Sequence, residues 1–129
     1  MPFTRITLRE GYSDAQLALI SDTLHQCLVA EFAVPPDDRF QIFEALPQRL
    51  RIFDRHYQSG IRSDNLIQFH IFAGRPRSRE QKKNLYRTLS DRLQTVLDIR
   101  PDDVMVMIQF NTADEWSFSN GRMLSEETL

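Results

Sequence analysis

Two stretches decide the fold when laid over one another: SDAQLALISDTLHQCLVAEFAVPPDDRFQIFE at 13–44 and SREQKKNLYRTLSDRLQTVLDIRPDDVMVMIQ at 78–109. Shifted by 65 residues without a gap, they agree at Ser13/Ser78, Gln16/Gln81, Thr23/Thr88, Leu24/Leu89 and Leu28/Leu93. They agree again where Pro36-Asp37-Asp38 falls on Pro101-Asp102-Asp103. That is eight identities in 32 positions, against about two from average residue usage. The chain therefore reads as one unit used twice.

Each copy has the same order of signals. An alternating, β-prone stretch comes first: Phe3 to Arg9, then Leu66 to Ala73. A serine N-cap follows, Ser13 or Ser78, and opens an amphipathic helix. Leu17, Ile20, Leu24 and Leu28 mark the buried stripe of the first helix, and Leu85, Leu89, Leu93 and Val96 that of the second. A Pro-Asp-Asp turn ends each helical region. A second strand follows, Arg39 to Glu44 and Val104 to Phe110. Each half, about 2–44 and 66–110, is thus β-α-β, with parallel strands joined by a right-handed crossover. Two halves side by side predict an α/β (α+β) fold: a four-stranded mixed sheet with both helices on one face.

The strand faces read unequally. Ile67, Phe69, Ile71, Ala73, Val104, Val106, Ile108 and Phe110, with Phe40 and Ile42, make an apolar face for the helices. Phe43, Phe72, Met105 and Met107 lie among Arg, Gln and His on the other. That mixed face predicts burial against further subunits, the alternative being an ordinary solvated sheet face. Segments 45–65 and 111–129 fall outside the repeat.

At 129 residues, 41% hydrophobic and 26% charged, the chain 1–129 is expected to be one domain with a core of its own. Sixteen Lys+Arg against eighteen Asp+Glu argue against a nucleic-acid-coating protein. One cysteine, Cys27, allows no internal disulfide and reads as a small helix residue. No apolar run reaches the roughly 20 residues of a membrane span, and the N-terminus lacks a signal-peptide pattern, so a cytoplasmic location is expected. The four glycines are scattered and form no phosphate loop. His25, His56 and His70 stand far apart and read as satisfied or solvated rather than metal-binding.

Pro2 is the remaining chemical candidate. Removal of Met1 before so small a residue would leave a secondary amine, and an α-amine titrates near ~8. Nearby cations and burial favour the neutral amine, a base; a nearby carboxylate favours the charged one, an acid. Met-Pro alone is weak support. The repeat strengthens it. If the halves meet through antiparallel first strands, the start of strand one lies beside Asp38 and Arg39. It also lies beside the end of strand three, at Gly74, Arg75 and Arg77, and strand four leads to Trp116 and Phe118 on the same rim. An amine, a carboxylate, two arginines and two aromatics suit a small anionic carboxylate substrate. Arg75 and Arg77 correspond to Glu10 and Tyr12 in the first half, so the turn does not require them. Asp38 corresponds to Asp103, which leaves a turn-forming role open for it.

At these residues the chain resembles the tautomerase superfamily, and within it the malonate semialdehyde decarboxylase-like group. Pro2, Val34 to Gln41, Arg75 to Lys82 and Ala113 to Phe118 carry the resemblance over essentially the whole chain. It implies Pro2 as the catalytic amine and Asp38 as the catalytic aspartate. It also implies Arg75 and Arg77 as the carboxylate-binding pair and Trp116 and Phe118 as a hydrophobic wall. It further implies a homotrimer with no metal and no organic cofactor. Asp37 departs from the family pattern by placing a second acid beside Asp38, and 45–65 matches poorly. Three activities stay open: decarboxylation of a 3-oxo acid with a hydratase side activity, keto-enol tautomerisation of a 2-oxo acid with Pro2 as base, and a non-catalytic binding module.

Overall fold

The computed structural model describes residues 1–126; the end of the predicted 111–129 tail lies outside them. The elements run β1 (Pro2–Arg9), α1 (Asp14–Phe32), β2 (Phe40–Leu46), β3 (Ile67–Ala73), α2 (Arg79–Leu97) and β4 (Val104–Phe110). Short 3₁₀ turns punctuate the connections.

The repeat is visible atom by atom at the helix ends. The Ser13 side chain accepts the backbone N–H of Gln16, while the Gln16 side chain accepts that of Ser13. Ser78 and Gln81 make the same reciprocal pair at α2. Two of the otherwise orphaned amides at each N-terminus are thereby satisfied. Both helices close on a left-handed residue that is not glycine, Ala33 at φ 53° and Asp98 at φ 56°.

The sheet order is β2-β1-β3-β4. β1 is parallel to β2, β3 is parallel to β4, and the halves join through antiparallel β1 and β3, with Pro2 opposite Ala73. Both crossovers are β-α-β, and the two helices share the core. Ile6, Leu8, Phe69 and Ile71 from the sheet meet Ile20, Leu24, Leu28 and Phe32 of α1 and Leu85, Leu89 and Leu93 of α2. Each fully buried side chain of this size contributes about 1.5–3 kcal/mol.

Two sequence expectations are corrected. Phe40 and Ile42 were expected beneath the helices and Phe43 on the opposite face; the structure reverses this. Phe43 packs against the core, while Phe40 and Ile42 are about half exposed. The parallel register decides it: Gln41 and Phe43 lie beside Thr4 and Ile6, whose side chains point to the helices. Val96 is likewise exposed, and Leu97 packs against the core in its place. The stripe runs in steps of four from Leu85, which lands on 97.

Segment 47–65 wraps the end of the sheet opposite to the Pro2 rim. Arg51 is buried there and donates to the Leu66 carbonyl at 2.7 Å. Asp103 accepts from the backbone N–H and hydroxyl of Ser63 at 2.7 and 2.6 Å. Among the described residues, no helix is long and apolar enough to cross a membrane.

Candidate active site

The antiparallel β1–β3 joint brings the beginning of β1, the loop before β2 and the residues after β3 to one rim. Gly74 donates its backbone N–H to the Met1 carbonyl at 3.1 Å, and Asn111 donates its own to Ala73 at 2.9 Å. The terminal ammonium of Met1 forms an ion pair with Asp38 Oδ2. Pro2 is buried directly behind it. Asp38 Oδ1 is buried with no hydrogen-bond partner among the described residues.

Asp38 and Asp103 show how one turn serves two purposes. Their backbones are equivalent: Asp38 N–H donates to Pro35 O at 3.0 Å, and Asp103 N–H to Arg100 O at 2.9 Å. Neither carboxylate makes that turn. Asp103 fastens Ser63, whereas Asp38 is turned to the amine. His25 of α1 steadies the same loop. Its Nε2 lies 2.7 Å from the Pro36 carbonyl; a carbonyl only accepts, so Nε2 carries the proton.

The arginines divide between surface and interior. Arg77 is buried, with 8% of its surface exposed. It donates to the Phe32 carbonyl through Nε at 3.2 Å and Nη2 at 2.9 Å, and to the Arg75 carbonyl through Nη1 at 2.7 Å. Its guanidinium also lies 5.1 Å from the Phe32 ring centroid. Phe32 is the last residue of α1, where carbonyls lack helical partners and a cation is favoured. Arg75 is exposed and reaches the same carbonyl only at 3.3 Å. Burial first, and then Arg75, pull the Arg77 guanidinium down to about 10.

Met1, Ala33, Pro35, Asp38, Arg75 and Arg77 line a cleft of about 230 Å³. Burial first, then the charges of Arg77 and Arg75, pull the terminal amine down to about 6. The Asp38 carboxylate in contact with it acts in the opposite sense. Asp37 is exposed, and Arg39 turns away to Asp22 at 2.6 Å.

Trp116 stands on the other side of Gly74. Its indole N–H donates to Asn111 Oδ1 at 2.6 Å, and its ring stacks on Phe118 at 5.4 Å. Phe118 in turn touches Phe40 at 5.5 Å and is 43% exposed. All six residues singled out from the sequence thus share this end of the sheet, with Arg75 and Phe118 exposed. The sequence reading placed Gly74 on this rim without giving it a role, and missed Asn111 and His25 as parts of the site. Asn111 was findable, since it directly follows the last residue of β4. No group of three or more His, Cys, Asp and Glu among the described residues could hold a metal.

Comparison with known proteins agrees with this geometry. The family model described as "Tautomerase enzyme" matches residues 38–119. A Bacillus subtilis (strain 168) protein named Probable tautomerase YusQ is 39% identical over 122 residues, covering 95% of this chain and 96% of that one. The structure superposes with a malonate semialdehyde decarboxylase, studied for decarboxylase and hydratase activities, at TM-score 0.88. That pair is 31% identical, with 94% of this chain and 93% of the other covered. A fused 4-OT that forms a symmetric trimer shares the fold at TM-score 0.78 and 15% identity, covering 97% of this chain and 99% of that one. A tandem β-α-β sheet, the family match and close likeness to that decarboxylase together place this chain in the tautomerase superfamily, in its malonate semialdehyde decarboxylase-like group.

Proposed function

We propose that this protein is a cofactor-independent decarboxylase of a small 3-oxo acid, acting through the amine of Pro2 once Met1 is removed. The observation that carries the reading is the carboxylate of Asp38 set against the chain's terminal amine, beside two arginines. A carboxylate in that place favours a charged amine, and a charged amine can polarise a carbonyl or donate to it.

In this reading Arg75, exposed and lightly held, takes the substrate carboxylate. Arg77 adds charge and fixes the turn that carries Arg75. The Pro2 ammonium bonds the 3-oxo oxygen, or the amine condenses with that carbon to an iminium. The bond between C2 and the carboxylate carbon breaks, its electrons move toward the polarised C3, and carbon dioxide leaves. The resulting enol or enamine takes a proton at C2; an enamine is then hydrolysed. Trp116, stacked on Phe118, stands across Gly74 from the arginines and walls the apolar side of the rim. Asp38 orients the amine and can hold a water for hydration.

A tautomerase of 2-oxo acids is the second reading. The two arginines beside the amine favour it, since nearby cations favour a neutral amine, which is a base, and so does the name of the Bacillus subtilis relative. Assays of Met1-free protein with malonate semialdehyde and with phenylenolpyruvate separate the two. Decarboxylation lost in Pro2→Ala supports the first; ketonisation without decarboxylation supports the second.

The exposed Phe40, Ile42, Met105 and Met107 on the helix-free face and the trimer of the fused 4-OT support association into a homotrimer. Light scattering on the purified chain tests it: three times the chain mass is expected, and a monomer refutes it.

A further inference from the structure

Met1 lies on the rim in a way that outlines a ligand. Its ammonium rests on Asp38, within reach of the charges of Arg75 and Arg77. Its side chain lies over Gly74. A Cβ at Gly74 would stand 2.8 Å from Met1 Cε, 3.0 Å from Met1 Sδ and 2.8 Å from Trp116 Nε1. The backbone of Gly74 is not left-handed, so space, rather than conformation, calls for glycine here. Trp116 cannot yield freely, because Asn111 holds its indole at 2.6 Å.

Beyond the indole a second cleft of about 300 Å³ is lined by Phe3, Phe72, Asn111, Glu115 and Trp116. The Phe3 and Phe72 rings lie 6.2 Å apart. The rim therefore has a charged side, bearing Asp38 and the arginines, and an apolar side. Gly74 is the gap between them. With Met1 gone, the place of its side chain becomes an apolar slot leading from the Pro2 amine over Gly74 and along Trp116.

We infer that the substrate is a 3-oxo acid with an unbranched apolar chain of about the length of a methionine side chain beyond its carbonyl. The carboxylate sits on Arg75, the carbonyl at Pro2, and the chain where the Met1 side chain lies. This inference rests on the decarboxylase reading. The reaction is R–CO–CH2–COO⁻ plus a proton giving R–CO–CH3 plus carbon dioxide, and R takes no part in the bonds that change.

The test compares kcat/KM across 3-oxobutanoate, 3-oxohexanoate and 3-oxoheptanoate on protein shown by intact mass to lack Met1. All three are ketones, so carbonyl reactivity stays constant, and the uncatalysed rate is subtracted. Each buried methylene is worth about fourfold, so three raise kcat/KM about 50-fold. In Gly74→Ala the methyl group enters the slot, and the same ratio drops below about fivefold. A flat or falling series in the wild type overturns the inference. So does a steep series that Gly74→Ala leaves unchanged. Turnover of no 3-oxo acid, or turnover that persists in Pro2→Ala, overturns the decarboxylase reading and this inference with it.

Discussion

Replacing Arg77 by methionine separates two roles that the arginine pair combines. Arg77 makes three hydrogen bonds, two to the carbonyl that ends α1 and one to the Arg75 carbonyl. A net hydrogen bond from a charged donor contributes roughly 1.5–3 kcal/mol. The two bonds to Phe32 share one acceptor, and the variant no longer buries a charge. About 3 kcal/mol is therefore the expected loss. With an unfolding entropy of about 2.1 cal/mol/K per residue, this lowers Tm by about 10 °C. Arg75→Met breaks a single 3.3 Å contact of an exposed side chain, so its stability changes by less than about 0.5 kcal/mol. Its KM for the oxo acid rises instead, by about tenfold or more, from loss of a charged contact. Urea unfolding and steady-state kinetics on both variants read the two effects independently. If Arg77→Met is as stable as Arg75→Met, the α1 carboxyl end does not depend on Arg77 and the division of roles fails.

Four further outcomes are expected. Asp98→Gly relieves a left-handed φ of 56° at the end of α2 and raises stability by about 0.5–1 kcal/mol in urea unfolding. Asp103→Ala removes the buried carboxylate that accepts from the N–H and hydroxyl of part-buried Ser63 and costs about 2–3 kcal/mol, read in the same way. Asn111→Ala frees the Trp116 indole; its fluorescence maximum shifts to the red and kcat/KM falls, with global stability changed by less than about 1 kcal/mol. In the Met1-bearing chain the amine is pulled from 8.0 to about 6, so the unfolded chain binds more protons between those values. Stability therefore rises as pH goes from 6 to 8 and levels off above 8. An unfolding midpoint that falls over that window contradicts the burial of this amine.

The fold was legible because the repeat supplies register, which isolated patterns do not. A shift of 65 residues aligned caps, stripes and turns at once, and antiparallel joining of the halves then placed Pro2 opposite the end of β3. The face of β2 was not legible. Phe40, Ile42 and Phe43 are apolar in both phases of the alternation, and pairing with Thr4 and Ile6 of β1 breaks the tie. Val96 and Leu97 posed the same problem on α2, where one residue of drift exchanges core for solvent. In the site, the residues with distinctive chemistry were readable, but their supports were not. Arg77 holding a helix end depends on a contact between residues 45 positions apart, while His25 holding Pro36 and Asn111 holding Trp116 depend on how the loop after each element folds back on it. Gly74 is recognisable only once the neighbours of its missing Cβ are known.

The central claim is that a free amine on Pro2, facing Asp38, does the chemistry. Turnover of 3-oxobutanoate and malonate semialdehyde by one preparation, before and after methionine aminopeptidase and with intact mass read each time, tests it most directly. The account predicts turnover in proportion to the fraction of chains that begin at Pro2, and none from chains that keep Met1. Equal turnover from the two forms would contradict it.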